Sequence, residues 1–160
     1  MLKWTEIASA IVAKLRDIPG LVAAMGGDPS VISAYRDRWP SQSWLHAALV
    51  ELKAPYILVV WRRTGPGSFA GHGGRQHEFS IIIRPPEDVP GAADAADISD
   101  LIVDGVPAGG GGNKLLDETI HSGCYPMRDP TFERQTLMVS FEASVDYLEG
   151  RLVLDEIGNQ

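Results

Sequence analysis

Tyr56-Ile57-Leu58-Val59-Val60-Trp61 and, further on, Glu78-Phe79-Ser80-Ile81-Ile82-Ile83-Arg84 are the stretches that decide the fold class. Both are compact runs of β-branched and aromatic residues, and such runs are expected as strands. Between them Gly65-Pro66-Gly67-Ser68-Phe69-Ala70-Gly71-His72-Gly73-Gly74 has no periodicity and is full of chain-breaking residues. The pair therefore reads as an antiparallel hairpin with a long loop over 64–77, and a loop of that length usually touches something.

Upstream, Trp4, Ile7, Ile11, Leu15 and Ile18 recur at intervals of three and four, with Lys3, Glu6, Lys14 and Asp17 on the other faces. This is the pattern of an amphipathic helix, and Pro19-Gly20 ends it. Asp28-Pro29 has the form of a helix cap followed by proline, which predicts a short helix through Tyr35 and Arg36. Ser43 is a candidate cap for another, with Trp44, Ala48, Leu49 and Leu52 on one face.

Downstream, Pro85-Pro86 stops the second strand, and Ala92 to Asp104 reads as an amphipathic helix with Ile98, Leu101 and Ile102 on one side. Gly109 to Gly112 is a break, and Leu115 to His121 fits either a helical turn or a short strand. Leu137, Val139, Phe141, Ala143 and Val145 alternate with polar or exposed-type residues, which predicts one half-buried strand. The segment 150–160 reads as a tail that docks on a neighbour, since Leu152, Val153, Leu154 and Ile157 are more apolar than a free end requires. The expected whole is a single α+β domain over 1–160: a small, mostly antiparallel sheet of three or four strands packed against two or more helices.

Composition bounds the function. At 160 residues, with 44% hydrophobic and 22% charged side chains, the chain can bury its own core. A net charge of -7 provides no overall field for nucleic acid or anionic lipid. Arg62, Arg63, Arg75 and Arg84 gather near the hairpin, and ordinary solvated strand ends are the simpler account of them. Cys124 is the sole cysteine, which excludes an intrachain disulfide. No spanning segment or export signal is visible, so no membrane partner is expected.

Motifs with chemical content are weak. Gly65-x-Gly67-x-x-Ala70 matches a dinucleotide fingerprint in letters, but a strand rather than a helix follows it. His72 and His77, with His46 or His121, could in principle ligate a metal, and Cys124 with His121 and Asp117 or Asp129 could be cast as nucleophile, base and acid. Solvated loop histidines and an idle buried thiol are the stronger readings. Asp94, Asp97, Asp100 and Asp104 share a helix face, expected to be solvated rather than cation-binding. The four tryptophans favour packing over base stacking, with Trp39, before Pro40, the one expected to be exposed. No catalytic residue, cofactor or metal is expected.

The order of elements resembles the tail terminator proteins of long-tailed bacteriophages. The pieces that carry the likeness are the opening helix running into Asp17-Ile18-Pro19-Gly20-Leu21, the Tyr56–Arg62 and Glu78–Arg84 pair, and Asp129 with Arg134 leading into Leu137–Val145. The resemblance implies a virion protein that forms a ring, of six copies in that family, which ends the tail tube and meets the head-side connector. Its partners would be further copies of itself, the tail tube protein and the connector protein, with DNA only as passing cargo. It further suggests that Gly65 to Arg75 projects toward a partner, so Arg63, Phe69, His72, Arg75, His77 and Trp39 are the candidate interface residues. The alternatives are a head-tail connector or neck subunit and, of other classes, a small metal-binding or Cys/His enzyme or a peptide-binding module using the hairpin.

Overall fold

The computed structural model describes residues 2–35, 49–50, 52–66, 74–104, 124–126 and 130–156. The fold is α+β, built on one mixed sheet with helices against one face. In chain order the elements are α1 (Trp4–Asp17), α2 (Leu21–Ala24), a 3-10 turn (Pro29–Val31), β1 (Ile32–Ala34), β2 (Tyr56–Pro66), β3 (Arg75–Arg84), α3 (Ala95–Asp104), β4 (Cys124–Pro126), β5 (Thr131–Met138) and β6 (Ser144–Glu156). The strand order is β1-β2-β3-β6-β4, and β5 also pairs with β6. β1 runs parallel to β2 and the other ladders are antiparallel.

Alternation along the strands sorts the side chains into two layers. Ile57, Val59, Phe79, Ile81, Ile83, Leu152 and Leu154 face the helices, where Ile7, Ile11 and Leu15 of α1 and Ile98 and Ile102 of α3 complete the main core. The opposite face carries a second cluster of Leu49, Tyr56, Leu58, Val60, Ile82, Leu137 and Tyr147. Trp4 lies flat on Trp61, centroids 4.9 Å apart, which closes the core beside the start of α1. Glu6 accepts a hydrogen bond from the Lys3 amide in the first turn, and Gly20, at φ 85°, makes the left-handed turn after Pro19.

Several expectations are corrected. The strands of the hairpin run past the predicted loop boundaries, because Thr64↔His77, Gly65↔Gln76 and Pro66↔Arg75 are all laddered. The Thr64 and His77 side chains bond each other across the strands at 2.8 Å, and β6 pairs with Arg75, Gln76 and His77 from the other side, so the ladder continues past residues of poor strand propensity. A bulge at Arg62 precedes this extension and turns Arg62 and Arg63 toward the face away from the helices.

The predicted helix after Asp28 is a single 3-10 turn, capped by the Asp28 carboxylate on the Ser30 amide, and Ile32 to Ala34 then pair with β2 instead. The alternating run Leu137–Val145 is two strands and a turn: the Val139 amide bonds the Ala143 carbonyl, and the Ser140 hydroxyl accepts from the Glu142 and Ala143 amides. The supposed docking tail is sheet through Glu156, with β3 on one side and β4 and β5 on the other. α3 begins at Ala95, after Asp94, whose side chain accepts from the Asp97 amide while Asp97 accepts from Asp94. Of the predicted Ser43-capped helix, Leu49 and Val50 are helical and Leu52 lies in a bend beyond them; its other residues and the stretch 115–121 lie outside the described residues.

Gly150 faces Phe132 across the β5–β6 ladder, and a Cβ there would overlap the Phe132 ring. The ring takes the place of the missing side chain and covers the backbone beneath it. Gly150→Ala is therefore expected to cost about 1–3 kcal/mol by overpacking. Urea denaturation reads this, and Phe132→Leu in the same chain should return part of the loss, which a strand-propensity effect alone would not.

Candidate functional site

At the distal end of the β2–β3 hairpin the structure builds one connected polar network. Its centre is His77, whose side chain is 1% exposed. Nε2 of His77 lies 2.9 Å from Glu156 Oε2, and Nδ1 lies 2.8 Å from the Thr64 hydroxyl. The Trp61 indole N–H donates to that same hydroxyl at 3.1 Å. A carboxylate only accepts, so Nε2 carries a proton, and in the neutral ring Nδ1 takes the hydroxyl hydrogen of Thr64.

Glu156 holds three donors together. It accepts from His77, from Arg75 Nε at 3.0 Å and, at its other oxygen, from the Leu2 amide at 2.7 Å. Arg75 also donates to the Leu2 carbonyl at 2.6 Å, so the Leu2 residue is gripped through both of its backbone groups. Burial pushes the Glu156 carboxyl upward, but the hydrogen bonds from Leu2, His77 and Arg75 outweigh it and hold the group below its ordinary range.

Thr64, His77 and Glu156 have the connectivity of a nucleophile, base and acid. His77, however, is buried with both ring nitrogens engaged, which leaves neither of them for a substrate. The arrangement ties the start of α1, the hairpin and β6 into one unit.

The cationic residues noted in the sequence have acidic partners. Arg62 pairs with Glu149 at 2.7 Å, Arg63 and Arg151 both reach Glu78, at 3.0 and 3.1 Å, and Arg84 pairs with Glu87. These pairs neutralise the arginines where a phosphate-binding patch would need them free, and the exposed ones add little to stability. Beside them, Thr131, Glu133, Gln135, Glu149 and Arg151 line an open depression of about 410 Å3.

Of the candidate interface residues, Arg63 is exposed on the sheet face, Arg75 is partly covered within the network, and His77 is interior. Phe69, His72 and Trp39 lie outside the described residues, as do His46 and His121. Cys124 is fully buried, and burial, with Glu156 nearby, pushes its thiol up to about 11, the state of a protonated and unreactive group. Asp94, Asp97, Asp100 and Asp104 are exposed along α3. Among the described residues no group of three or more His, Cys, Asp or Glu is placed to hold a metal ion. None of the described helices is long and apolar enough to cross a membrane.

Sequence reasoning missed two surface features. Among the described residues the exposed large hydrophobic ones are Val50, Leu52, Val89, Met138 and Phe141, in segments that adjoin the start of β2, the end of β3 and the β5–β6 turn, away from the network. Leu52 leads into β2, Val89 follows β3, and Met138 and Phe141 stand at the β5–β6 turn, where Tyr56↔Arg84 and Met138↔Ser144 close the ladders. Phe141, at 105% relative exposure, touches almost nothing of its own chain. The second feature is β5, which among the described residues pairs on one side only.

No protein-family model matches the chain, and no curated protein matches its sequence.

Proposed function

We propose that this chain is a structural subunit of a phage virion, assembling as a ring that terminates the tail tube and joins it to the head-side connector. The observation that carries the reading is the division of the molecule into two unlike ends. One end spends its ionisable groups on holding the subunit together, and the other offers Val50, Leu52, Val89, Met138 and Phe141 to a partner. Large exposed apolar side chains along one end of a sheet are the kind of surface that a partner covers. The second ground for the reading is the resemblance of the sequence's order of helices and strands to that of tail terminators. A net charge of -7 suits a conduit through which DNA passes without adhering.

The test is the mass of the native assembly by light scattering on a sizing column, with negative-stain images of the same peak, alone and mixed with tail tubes. A ring, of six copies in the expected case, that seats on tube ends is the predicted result. A protein that forms no ring in either condition and leaves tube ends bare overturns the proposal.

A further inference from the structure

The two edges of the sheet are not alike. β1 is three residues long, and Arg16 donates to its Ile32 carbonyl through Nε at 3.2 Å and Nη2 at 2.7 Å. The Tyr35 amide bonds Val59, so by alternation Ile32 and Ala34 are the residues that turn their backbone groups outward, and Arg16 occupies one of these groups. That edge is short and partly closed.

β5 is eight residues long and has no such cover among the described residues. The Val139 amide bonds Ala143 across the turn, so the odd residues of β5 direct their backbone groups to β6. The even residues, Phe132, Arg134, Thr136 and Met138, direct theirs outward. Neither a proline nor a bulge interrupts the strand.

We infer that β5 is a self-pairing edge, through which two copies of this chain join antiparallel about a two-fold axis into one continuous sheet. Because β1 offers almost no ladder to receive it, β5 has its best partner on this chain in another β5. The register follows from charge and bond count. Opposed residues must lie on the same face, which leaves registers centred on a single residue. Centring on Glu133 or Arg134 sets like charges against each other. Centring on Gln135 sets Arg134 opposite the other copy's Thr136 and Phe132 opposite its Met138, and all four outward residues are paired.

That register forms about eight backbone hydrogen bonds, more than any of its neighbours. It also brings Arg134 beside the Thr136–Asp146 pair of the other copy, repeating the contact each Arg134 already makes with its own Asp146 at 2.8 Å. Met138, 63% exposed in the single chain, gains an apolar neighbour. This pairing joins copies two at a time and does not depend on the ring. Ring closure would use other surfaces, of which the apolar end is one.

The experiment is site-specific crosslinking with a single new cysteine. In the inferred register Gln135 faces its own copy at a non-hydrogen-bonded position, where side chains approach most closely, whereas Glu133 faces Leu137. Gln135→Cys should oxidise to a covalent dimer, and Glu133→Cys should not; circular dichroism confirms that both are folded. Amide exchange on the unmodified protein gives a second reading, with slow exchange expected at Arg134 and Thr136. Failure of Gln135→Cys to crosslink, together with fast exchange at those amides, overturns the inference even if rings form. Crosslinked pairs that never seat on tail tubes would uphold it and count against the tail reading instead.

Discussion

Glu156→Ala is expected to lower folding stability by about 3 kcal/mol, near the lower end of what removal of one partner from a buried ion pair costs. The side chain is 8% exposed, and its loss leaves buried His77 without an acceptor and the Leu2 amide without a bond. Arg75, at 26% exposed, can turn toward water, which is why the larger figures are not expected. Urea denaturation at neutral pH measures the effect. Glu156→Gln keeps the shape and one acceptor and should lose less.

The same residue sets an acid limit. Its folded pKa is depressed, so its contribution is fully present above the ordinary glutamate value of about 4.3 and is lost as pH falls through the lower folded value. Stability of the native protein should therefore fall through that acid window. The Glu156→Gln protein should show a shallower fall there, because no charge remains to be neutralised. Equal slopes for the two proteins would mean that Glu156 does not govern the limb.

Phe79→Ala should cost about 3–5 kcal/mol, the range for emptying an aromatic site in a core. Phe79 is fully buried in β3, flanked on the helix face by Trp61 of β2 and Leu152 of β6. Two ladders and the Trp4–Trp61 stack converge on it, so the site has little freedom to collapse. The loss should appear in chemical denaturation and also as a weakened near-ultraviolet tryptophan signal, because Trp61 loses the ring beside it. A stability change below about 1 kcal/mol would show that the surrounding side chains repack into the space.

The parts of the fold legible in the sequence are those set by local periodicity. α1 buries one clean stripe, Ile7, Ile11 and Leu15, and the apolar centres of β2 and β3 lie in the sheet's main core. What escaped were elements decided by distant partners. β1 forms because β2 offers it a parallel edge, and nothing in Ile32-Ser33-Ala34 alone announces that. The turn at Ser140 lacks glycine and proline, so the alternation on either side of it reads as one uninterrupted strand.

β6 was hidden by its charges, since Glu149, Arg151 and Glu156 look like a solvated end until their cross-strand partners are seen. The polar network could not be read in advance for the same reason. His77 is 79 positions from Glu156, and Leu2 is 154 from it. The sequence pointed to His77 as a loop histidine, and only the lengthened hairpin explains why it is interior.

The place of β6 in the sheet bears on how the protein is made. Among the described strands it comes last in chain order, and β3, β4 and β5 all pair with it. While the ribosome is still working toward residue 156, the β2–β3 hairpin waits with an open edge and its isoleucines short of neighbours. Ladders between such distant segments form slowly and leave sticky intermediates. A nascent chain of this kind is a natural client for a holding chaperone, and slowing translation ahead of β6 would lengthen its exposure rather than help it fold.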